Sequence, residues 1–401
     1  MGPQRYRMDF NFTPEEENFR QELRIWLQNN LPEGYDPQKF DEIDADARFE
    51  FQRAWQKKAH AAGWVGIHWP KEYGGRGASL MEMFIFNQEM NKARAPRYAN
   101  TLGLMMSGPT LIHWGTEEQK QRYLPKILSG EEIWCEGLSE PNAGSDLASL
   151  QTRAVEDGDY FVVNGQKVWT SYAHRADYIQ LFVRTDANTA KHKGISCLIV
   201  DMKTPGVTVR PLVQITGDAE FNEVFFEDAR VPRTNLLGPK DEGWKVLVTT
   251  LMHERAGIGS ELPVHRQLTE LLRLSKTVEL NGKPASEDPA VRQRLAQFAI
   301  ECQAITYNMF RSFSKRLKGN PPGPERSINK LVGSELNLRM AAFASELLGP
   351  YAQLTQGSPY AVDHGRWPRA ALWGRLLTIG GGTSEIQRGI LGDRVLGLPK
   401  G

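Results

Sequence analysis

Hydrophobic and polar residues along this chain follow three successive patterns: helical, then strand-like, then helical again. In the first stretch Phe19, Leu23 and Leu27 recur at helical spacing. The segment before them, Thr-Pro-Glu-Glu at 13–16, is typical of a capped helix start with proline in the first turn. Further helices are predicted over 48–61, 80–90 and 116–128.

From about residue 133 the period shortens to that of β-strands. The run 160–170 has two apolar halves separated by Asn164-Gly165, which predicts a hairpin because this dipeptide tolerates positive φ twice. Further short strands are predicted over 179–184, 195–201, 207–211 and 221–226. Because no helices separate these strands, the pattern indicates an antiparallel sandwich or barrel and not a parallel sheet with crossovers.

After Pro239 the helical period returns, interrupted by a Pro/Gly-rich break at 319–324. We therefore predict an α+β multidomain protein in three parts. These are an N-terminal α-helical domain over 1–132, a middle antiparallel β-sandwich or barrel over 133–239, and a C-terminal α-helical bundle over 240–401. This order argues against a Rossmann domain, and so against an NAD-dependent oxidoreductase, because that fold alternates strand and helix.

Composition narrows the possible partners. The 401 residues carry 49 basic and 48 acidic side chains, so nothing favours nucleic acid or an anionic membrane. The three cysteines are far apart and form no CxxC pair, so neither a disulfide framework nor a metal site is expected. No apolar run approaches the ~20 residues of a membrane span. Acidic residues soon after the N-terminus disfavour a signal or transit peptide, so we expect a cytoplasmic protein.

Glu254 is the first candidate for chemistry. It shares one helical stripe with four apolar residues, Trp244, Leu247, Leu251 and Ile258. A carboxylate on an apolar face is either paired or functional, because burial of a lone charge is costly. Burial raises a glutamate pKa towards the range of a base that works near neutrality. A structural ion pair with a distant arginine would also account for the position, and the stripe by itself does not separate the two.

Three polar segments are further candidates. A loop rich in Gly, Ser and acids covers 136–146, an indole precedes two hydroxyls in Trp169-Thr170-Ser171, and a glycine run opens the segment 380–388. Such segments present N–H and O–H groups to a polar or planar ligand. Taken singly, they also suit a plain turn, a core tryptophan and a flexible loop with an N-cap.

The order and separation of these segments closely resemble the acyl-CoA dehydrogenase family over essentially the whole chain. The first signature segment is Leu-Ser-Glu-Pro-Asn-Ala-Gly-Ser-Asp at 138–146, and the second is Gly-Gly-Thr-Ser-Glu-Ile-Gln-Arg at 381–388. The resemblance implies FAD as cofactor, an acyl-CoA substrate oxidised to a 2-enoyl-CoA, and an electron-transferring flavoprotein as acceptor. It also implies a homotetramer or homodimer with FAD extended between subunits.

The resemblance also assigns roles to single residues. The positions that match those holding the isoalloxazine ring are Leu138, Ser139, Trp169, Thr170 and Ser171. Thr383 and Glu385 match positions beside the ribityl, pyrophosphate and adenosine arm of FAD. Ser145 and Arg255 match positions that contact the CoA or acyl end of the substrate. The N–H of Gly381 matches a donor to the thioester oxygen.

One departure from the family pattern concerns the base. Many members carry the catalytic glutamate just before Gly-Thr-Ser, where this chain has Gly381. A second group of members carries it on the helix where this chain has Glu254, so we predict Glu254 as the catalytic base. Glu385 and Glu140 are the next candidates.

A second departure concerns the adenosine side of FAD. The usual Arg-x-x-Phe-Gly contact has no clean match within 271–281, and Gln-x-x-Gly-Gly appears only as Glu-Leu-Leu-Gly-Pro at 346–350. A heteromeric partner that supplies these contacts is compatible with this departure.

Several functions therefore stay open beside the dehydrogenase. An acyl-CoA oxidase or flavin monooxygenase of the same fold would carry the same segments, and so would a non-catalytic subunit of a heteromeric dehydrogenase. The acyl group stays open among dicarboxylyl, ring-bearing and sterol side-chain thioesters.

Overall fold

The computed structural model describes residues 12–37, 40, 43–254, 263–321 and 323–399. These residues form two compact units. One unit contains the chain up to Trp134 and the part of a later helix from Lys245 onward; the other contains Cys135–Trp244 and the chain beyond the 255–262 gap. The helices of the first unit are α1 Pro14–Asn30, α2 Ala45–Ala61, α3 Leu80–Lys92, α4 Gly108–Trp114, α5 Glu117–Ser129 and α6 Gly243–Glu254, the last of which begins in the second unit.

The start of α1 confirms the predicted cap. The Thr13 hydroxyl accepts from the Glu16 N–H at 3.2 Å, and the Glu16 carboxylate accepts from the Thr13 N–H at 2.9 Å. Two otherwise unpaired donors are thereby satisfied reciprocally. The predicted apolar stripe of Phe19, Leu23 and Leu27 is the buried face of this helix.

One seven-stranded sheet forms the centre of the second unit. Its strands are β1 Trp134–Gly137, β2 Arg153–Asp157, β3 Tyr160–Ser171, β4 Tyr178–Arg184, β5 Ile195–Asp201, β6 Val207–Leu212 and β7 Phe221–Pro232. The order is β1-β4-β2-β3-β7-β6, with β5 also paired to β4. Pairs β2–β3, β3–β7, β4–β5 and β6–β7 are antiparallel, whereas β2 meets β4 in parallel at Arg153 and Arg184. The helical, β, helical fold class is confirmed.

The predicted hairpin at Asn164-Gly165 is wrong. β3 continues through both residues as one long strand, and its register with β7 shifts between Val163 and Gly165. The turn that joins β2 to β3 lies earlier, at Gly158, whose φ is +58°. Gly165 is required for another reason: a Cβ there would lie 2.6 Å from the Cα of Thr152. The extra residue of this register shift is on β7, where Asp228 has a φ of +48°. Gly165 therefore marks a close backbone approach and not a turn.

Helices return after α6 and build a separate core beside the sheet. They are α7 Pro263–Thr277, α8 Pro289–Leu317, α9 Arg326–Leu348, α10 Arg366–Ile379 and α11 Ser384–Ile390, with a short hairpin of β8 Glu279–Leu280 and β9 Lys283–Pro284 after α7. Leu271, Phe298, Met340 and Trp367 are buried in this core. Among the described residues, no helix is long and apolar enough to cross a membrane.

Candidate functional site

The first signature segment begins where β1 ends, and β3 anchors it. The Leu138 carbonyl accepts from the Nζ of Lys167 at 3.0 Å, and the Ser139 carbonyl accepts from the N–H of Val168 at 2.9 Å. Leu138 and Ser139 are both half-buried. Because C=O and N–H point in opposite directions across a trans peptide, the Ser139 N–H points away from Lys167. The structure therefore brings together Leu138, Ser139 and the strand that leads to Trp169.

A buried ion pair lies behind this segment. Lys167 is fully buried, and its Nζ lies 2.8 Å from Oε1 of Glu140. The N–H of Thr152 donates to the same oxygen at 2.9 Å, and the N–H of Gln151 donates to Oε2 at 2.6 Å. Glu140 is thus committed to structural contacts, which argues against it as a base.

The protonation of this pair follows from its surroundings. Burial lowers the pKa of Lys167 from its ordinary value to about 8, although the charge of Glu140 opposes that shift. Burial alone would raise the pKa of Glu140, but the charge and hydrogen bond of Lys167, with the bonds from Gln151 and Thr152, lower it below its ordinary value. The hydrogen bonds that Lys167 donates and those that Glu140 accepts favour the ionised form of both groups.

The end of β3 is strained. Trp169 and Tyr172 have φ values of +60° and +56°, and the register with β7 shifts between Lys167 and Thr170. Left-handed backbone at a bulky residue costs on the order of 1–3 kcal/mol and is typical of binding and catalytic sites. The Trp169 side chain is 61% exposed, which disfavours its interpretation as a core tryptophan.

Thr170 lies between these two strained residues. Its side chain is 1% exposed, and its Oγ1 has no hydrogen-bond partner within the described parts of the chain. A buried hydroxyl left unpaired costs about 1–3 kcal/mol, so its position favours a ligand or water that completes the bond. Ser171, the next residue, is half-buried and pairs with Phe221 of β7.

An aromatic series links this strand end to the C-terminal helices of the same unit. The Trp169 ring meets the Phe221 ring edge-on at 6.3 Å, and Phe221 stacks on Trp373 of α10 at 6.4 Å. Arg369 of α10 also donates to the carboxylate of Asp218 at 2.7 Å. These contacts join the strand end to α10, the helix that leads directly into the second signature segment.

The second signature segment is a glycine loop followed by α11. The Thr383 hydroxyl caps α11 by accepting from the Ile386 N–H at 3.2 Å. The Gly382 carbonyl accepts from Nζ of Lys330 at 2.5 Å, and the Gly381 carbonyl accepts from Nε2 of Gln387 at 3.1 Å. By the same peptide geometry, the N–H groups of Gly382 and Thr383 point away from these donors.

The carboxyl group of Glu385 lies at the surface of this loop. Its pKa is lowered by its own backbone N–H and by the Thr383 hydroxyl, with a further contribution from the charge of Arg388. An exposed carboxyl group with a lowered pKa is a poor base near neutrality, which disfavours Glu385 in that role. Its predicted place beside the FAD arm stays a prediction.

Helix α6 ends at Glu254, the predicted base. Its buried face consists of Val246, Leu247 and Thr250, whereas Trp244 and Leu251 are only half-buried. The buried stripe therefore lies slightly to one side of the predicted one. The side chain of Glu254, like Arg255 and Ile258, lies outside the described residues.

Two hydroxyl contacts fix α6 within the first unit. The Thr250 hydroxyl lies 2.9 Å from that of Thr110 on α4, and the Trp114 indole N–H donates to Thr249 at 3.0 Å. Thr250 lies one turn before Glu254, so these contacts hold the last turn of the helix in register.

The remaining predicted substrate residue, Ser145, is exposed in the first signature segment. Its neighbour Asp146 forms an ion pair with Lys191, which ties this loop to the turn between β4 and β5. Sequence reasoning missed Lys167, because the assumed hairpin hid its inward position on β3. Strict alternation from Phe161 and Val163 places Lys167 on the same inward face, and that was the available signal.

The residues of the second unit fit a flat heterocycle with a polar edge. They offer an exposed indole in a strained conformation, an unpaired buried Thr170 hydroxyl, and a Ser139 N–H turned away from its anchor. Aromatic faces and a few directed polar groups are the usual lining of cofactor sites. This set is compatible with the isoalloxazine ring of a flavin.

Comparison with known proteins identifies the family of this chain. Family models described as the N-terminal, middle and C-terminal domains of acyl-CoA dehydrogenase match residues 13–131, 135–229 and 241–396. The chain is 39% identical to the acyl-CoA dehydrogenase IpdE1 of Mycobacterium tuberculosis, over 96% of this chain and 98% of that protein.

Two solved structures are similar along the whole chain. The ChsE4–ChsE5 complex of Mycobacterium tuberculosis matches with a TM-score of 0.83 and 35% identity, covering 98% of this chain and 100% of the other. A Tcur3481–Tcur3483 steroid ACAD matches with a TM-score of 0.82 and 32% identity, again over 98% and 100%. The fold and site thus define an oxidoreductase. The chain belongs to the acyl-CoA dehydrogenase family.

Proposed function

We propose that this chain uses FAD to oxidise an acyl-CoA thioester to its 2-enoyl-CoA, and that electrons then pass to an electron-transferring flavoprotein. The strained end of β3, with the exposed Trp169 and the unpaired hydroxyl of Thr170, is the observation that carries the proposal. When bound, FAD supplies the two-electron acceptor that takes a hydride from Cβ of the substrate. Leu138, Ser139, Trp169, Thr170 and Ser171 would hold its ring.

Glu254 is the proposed base. Its carboxylate takes the proton from Cα, and the electrons of that C–H bond become part of the new Cα–Cβ double bond. Glu254 ends α6 and follows the buried Leu247 by seven residues, a helical spacing that supports this role.

Loss of the α-proton places enolate-like charge on the thioester oxygen, which needs an N–H donor. We assign this role to the N–H of Gly381, next to the peptides whose carbonyls are held by Lys330 and Gln387. Thr383 and Glu385 are assigned to the arm of FAD, and Ser145 and Arg255 to the CoA or acyl end. A rigid loop is suited to this task because the donor needs no reorganisation during the reaction.

The acyl group is proposed to be bulky and derived from a steroid. The support is similarity to the Tcur3481–Tcur3483 steroid ACAD; the ChsE4–ChsE5 structure is likewise a complex of two named chains. A heteromer with a second acyl-CoA dehydrogenase chain is favoured over a homo-oligomer for the same reason. The missing Arg-x-x-Phe-Gly and Gln-x-x-Gly-Gly contacts agree with this, since Glu346 of the latter position instead forms an ion pair with Arg294.

The test is anaerobic reduction of the bound flavin by a panel of thioesters, using the chain alone and co-expressed with a second dehydrogenase chain from the same source. Sterol side-chain, ring-bearing, dicarboxylyl and straight-chain acyl-CoAs form the panel. Bleaching of the flavin band with formation of the 2-enoyl product, strongest for the steroid thioesters, is expected. A protein that binds no flavin in either preparation contradicts the proposal, and fast reoxidation in air indicates an oxidase or monooxygenase.

A further inference from the structure

We propose that the Glu140–Lys167 pair is a positioning device of the flavin site, which sets the direction of the Ser139 N–H and holds the strained turn from Trp169 to Tyr172. The inference rests on the proposed function. It concerns side chains that lie behind the site and need not touch the cofactor. Lys167 and Glu140 are therefore positioning residues.

A buried ion pair needs a reason other than stability. Removing two charges from water costs several kcal/mol per ion, and apolar replacements of similar volume are often as stable. Lys167 is fully buried and Glu140 is 8% exposed, so both incur this cost. The pair must therefore contribute a property other than stability, one that a methionine and a neutral amide of similar volume lack.

The property that the pair contributes is a fixed orientation of the peptide between Leu138 and Ser139. One N–H of the Lys167 ammonium reaches Oε1 of Glu140, and another reaches the carbonyl of Leu138. The carboxylate in turn accepts from the backbone N–H groups of Gln151 and Thr152. Three separate stretches of chain therefore converge on two side chains, and the 138–139 peptide is fixed with its carbonyl inward.

The strained turn starts immediately after this anchor. Lys167 is followed by Val168, whose N–H bonds to the Ser139 carbonyl, and then by Trp169 in its left-handed conformation. Strain of this kind persists only where the surrounding contacts over-determine the backbone. The pair supplies such contacts on the side of the strand opposite to the exposed indole.

The test compares double variants in which both charges are removed. Lys167→Met with Glu140→Gln deletes the donor to Leu138, whereas Lys167→Gln with Glu140→Gln keeps an N–H donor without charge. The matched control is Arg230→Met with Asp157→Asn, an exposed pair on the same sheet. FAD dissociation constants of the apoproteins and deuterium uptake of peptides covering 136–141 and 167–173 are measured.

We expect the methionine variant to bind FAD at least tenfold more weakly than the wild type and to exchange faster in both peptides. The FAD affinity and deuterium uptake of the glutamine variant should be closer to the wild-type values. The control with the exposed pair removed should bind FAD and exchange like the wild type. Equal FAD binding and equal uptake by all variants would overturn the proposal. If the methionine variant does not fold, the glutamine variant decides: weaker FAD binding and faster deuterium uptake than in the control support the proposal, and binding and uptake equal to those of the control overturn it.

Failure of this positioning proposal can be distinguished from failure of the proposed dehydrogenase function. A wild-type protein that binds FAD but is not bleached by any acyl-CoA defeats the dehydrogenase proposal and leaves the binding comparison valid. If the wild type binds no FAD, deuterium uptake of the apoproteins still decides whether the pair holds the loop.

Discussion

The two signature segments present backbone N–H groups in the same way but are anchored by different means. In each, a lysine ammonium draws a carbonyl inward: Lys167 holds the carbonyl of Leu138, and Lys330 holds that of Gly382. Lys167 is fully buried and paired with Glu140, whereas Lys330 is half-buried. The first loop is therefore anchored by a lysine in the interior, and the second by a lysine nearer the surface.

The second loop also depends on the backbone conformation of its two glycines. Gly381 and Gly382 have φ values of +65° and +90°, which residues with a Cβ adopt only under strain. Gln387 also donates to both of their carbonyls, so loss of Lys330 leaves neither carbonyl unpaired. We conclude that charge changes should damage the first loop most, and that added side-chain bulk should damage the second.

The largest effect is expected from Glu140→Leu. The substitution leaves the Lys167 ammonium buried without its partner, a situation that costs about 3–5 kcal/mol. The loss of stability is measured by thermal unfolding of the apoprotein. The control Asp157→Asn, which breaks the exposed pair with Arg230, should cost below about 1 kcal/mol. Equal losses in both variants would show that the buried pair has no special weight.

Gly382→Ala is expected to have the next largest effect. Its φ of +90° costs an alanine about 1–2 kcal/mol, and the new Cβ would lie 2.7 Å from Nε2 of Gln387. Gly389→Ala is the matched control, because this residue lies in α11 with open space around it and alanine should stabilise the helix by up to about 1 kcal/mol. The sign of the two melting-temperature shifts is compared, and a stabilising Gly382→Ala contradicts the proposed dependence on backbone conformation.

Lys330→Met should have a smaller effect, about 0.5–1.5 kcal/mol, because the Gly382 carbonyl that loses its lysine donor is half-buried and also accepts from Gln387. Deuterium uptake of the 380–383 segment and thermal unfolding are the measurements. A loss as large as that of Glu140→Leu would mean that the two loops do not differ in their means of anchoring.

The smallest expected effect is a difference in acid sensitivity. The pKa of Glu140 is below its ordinary value of 4.5, so its contribution to stability is complete above about pH 4.5 and is lost as pH falls through the folded-state pKa. The melting temperature of Glu140→Gln should therefore fall less steeply than that of the wild type between pH 5 and 3 (about the range where carboxyls titrate). Asp157→Asn, a change at an exposed carboxyl, should keep the wild-type slope. Parallel slopes for all three proteins would count against the Glu140 assignment.

Local patterns predicted much of the fold. Capping chemistry identifies the start of α1, and the strand pattern identifies β4 and β5 to within one residue. Interactions between near neighbours in sequence determine these elements, so one amino-acid sequence is enough to predict them. The α–β–α order follows from the same periodicities.

The errors arose where distant residues decide the structure. Gly165 is a glycine because Thr152, thirteen residues earlier, approaches its backbone, and no local rule separates this from a turn. The same misinterpretation hid Lys167, whose partner Glu140 lies on another strand connection. At the site, the strain at Trp169 and the unpaired hydroxyl of Thr170 depend on pairing with β7 and were not visible in the sequence.

The most direct test of the proposed function is anaerobic bleaching of the flavin by the best acyl-CoA of the panel, with the wild type and Glu254→Gln compared at equal flavin content. We predict that the variant keeps its flavin band and is reduced roughly 10²–10⁴-fold more slowly, the size expected for loss of a general base. If the variant bleaches as fast as the wild type, Glu254 is not the base and the mechanism proposed for this chain is contradicted.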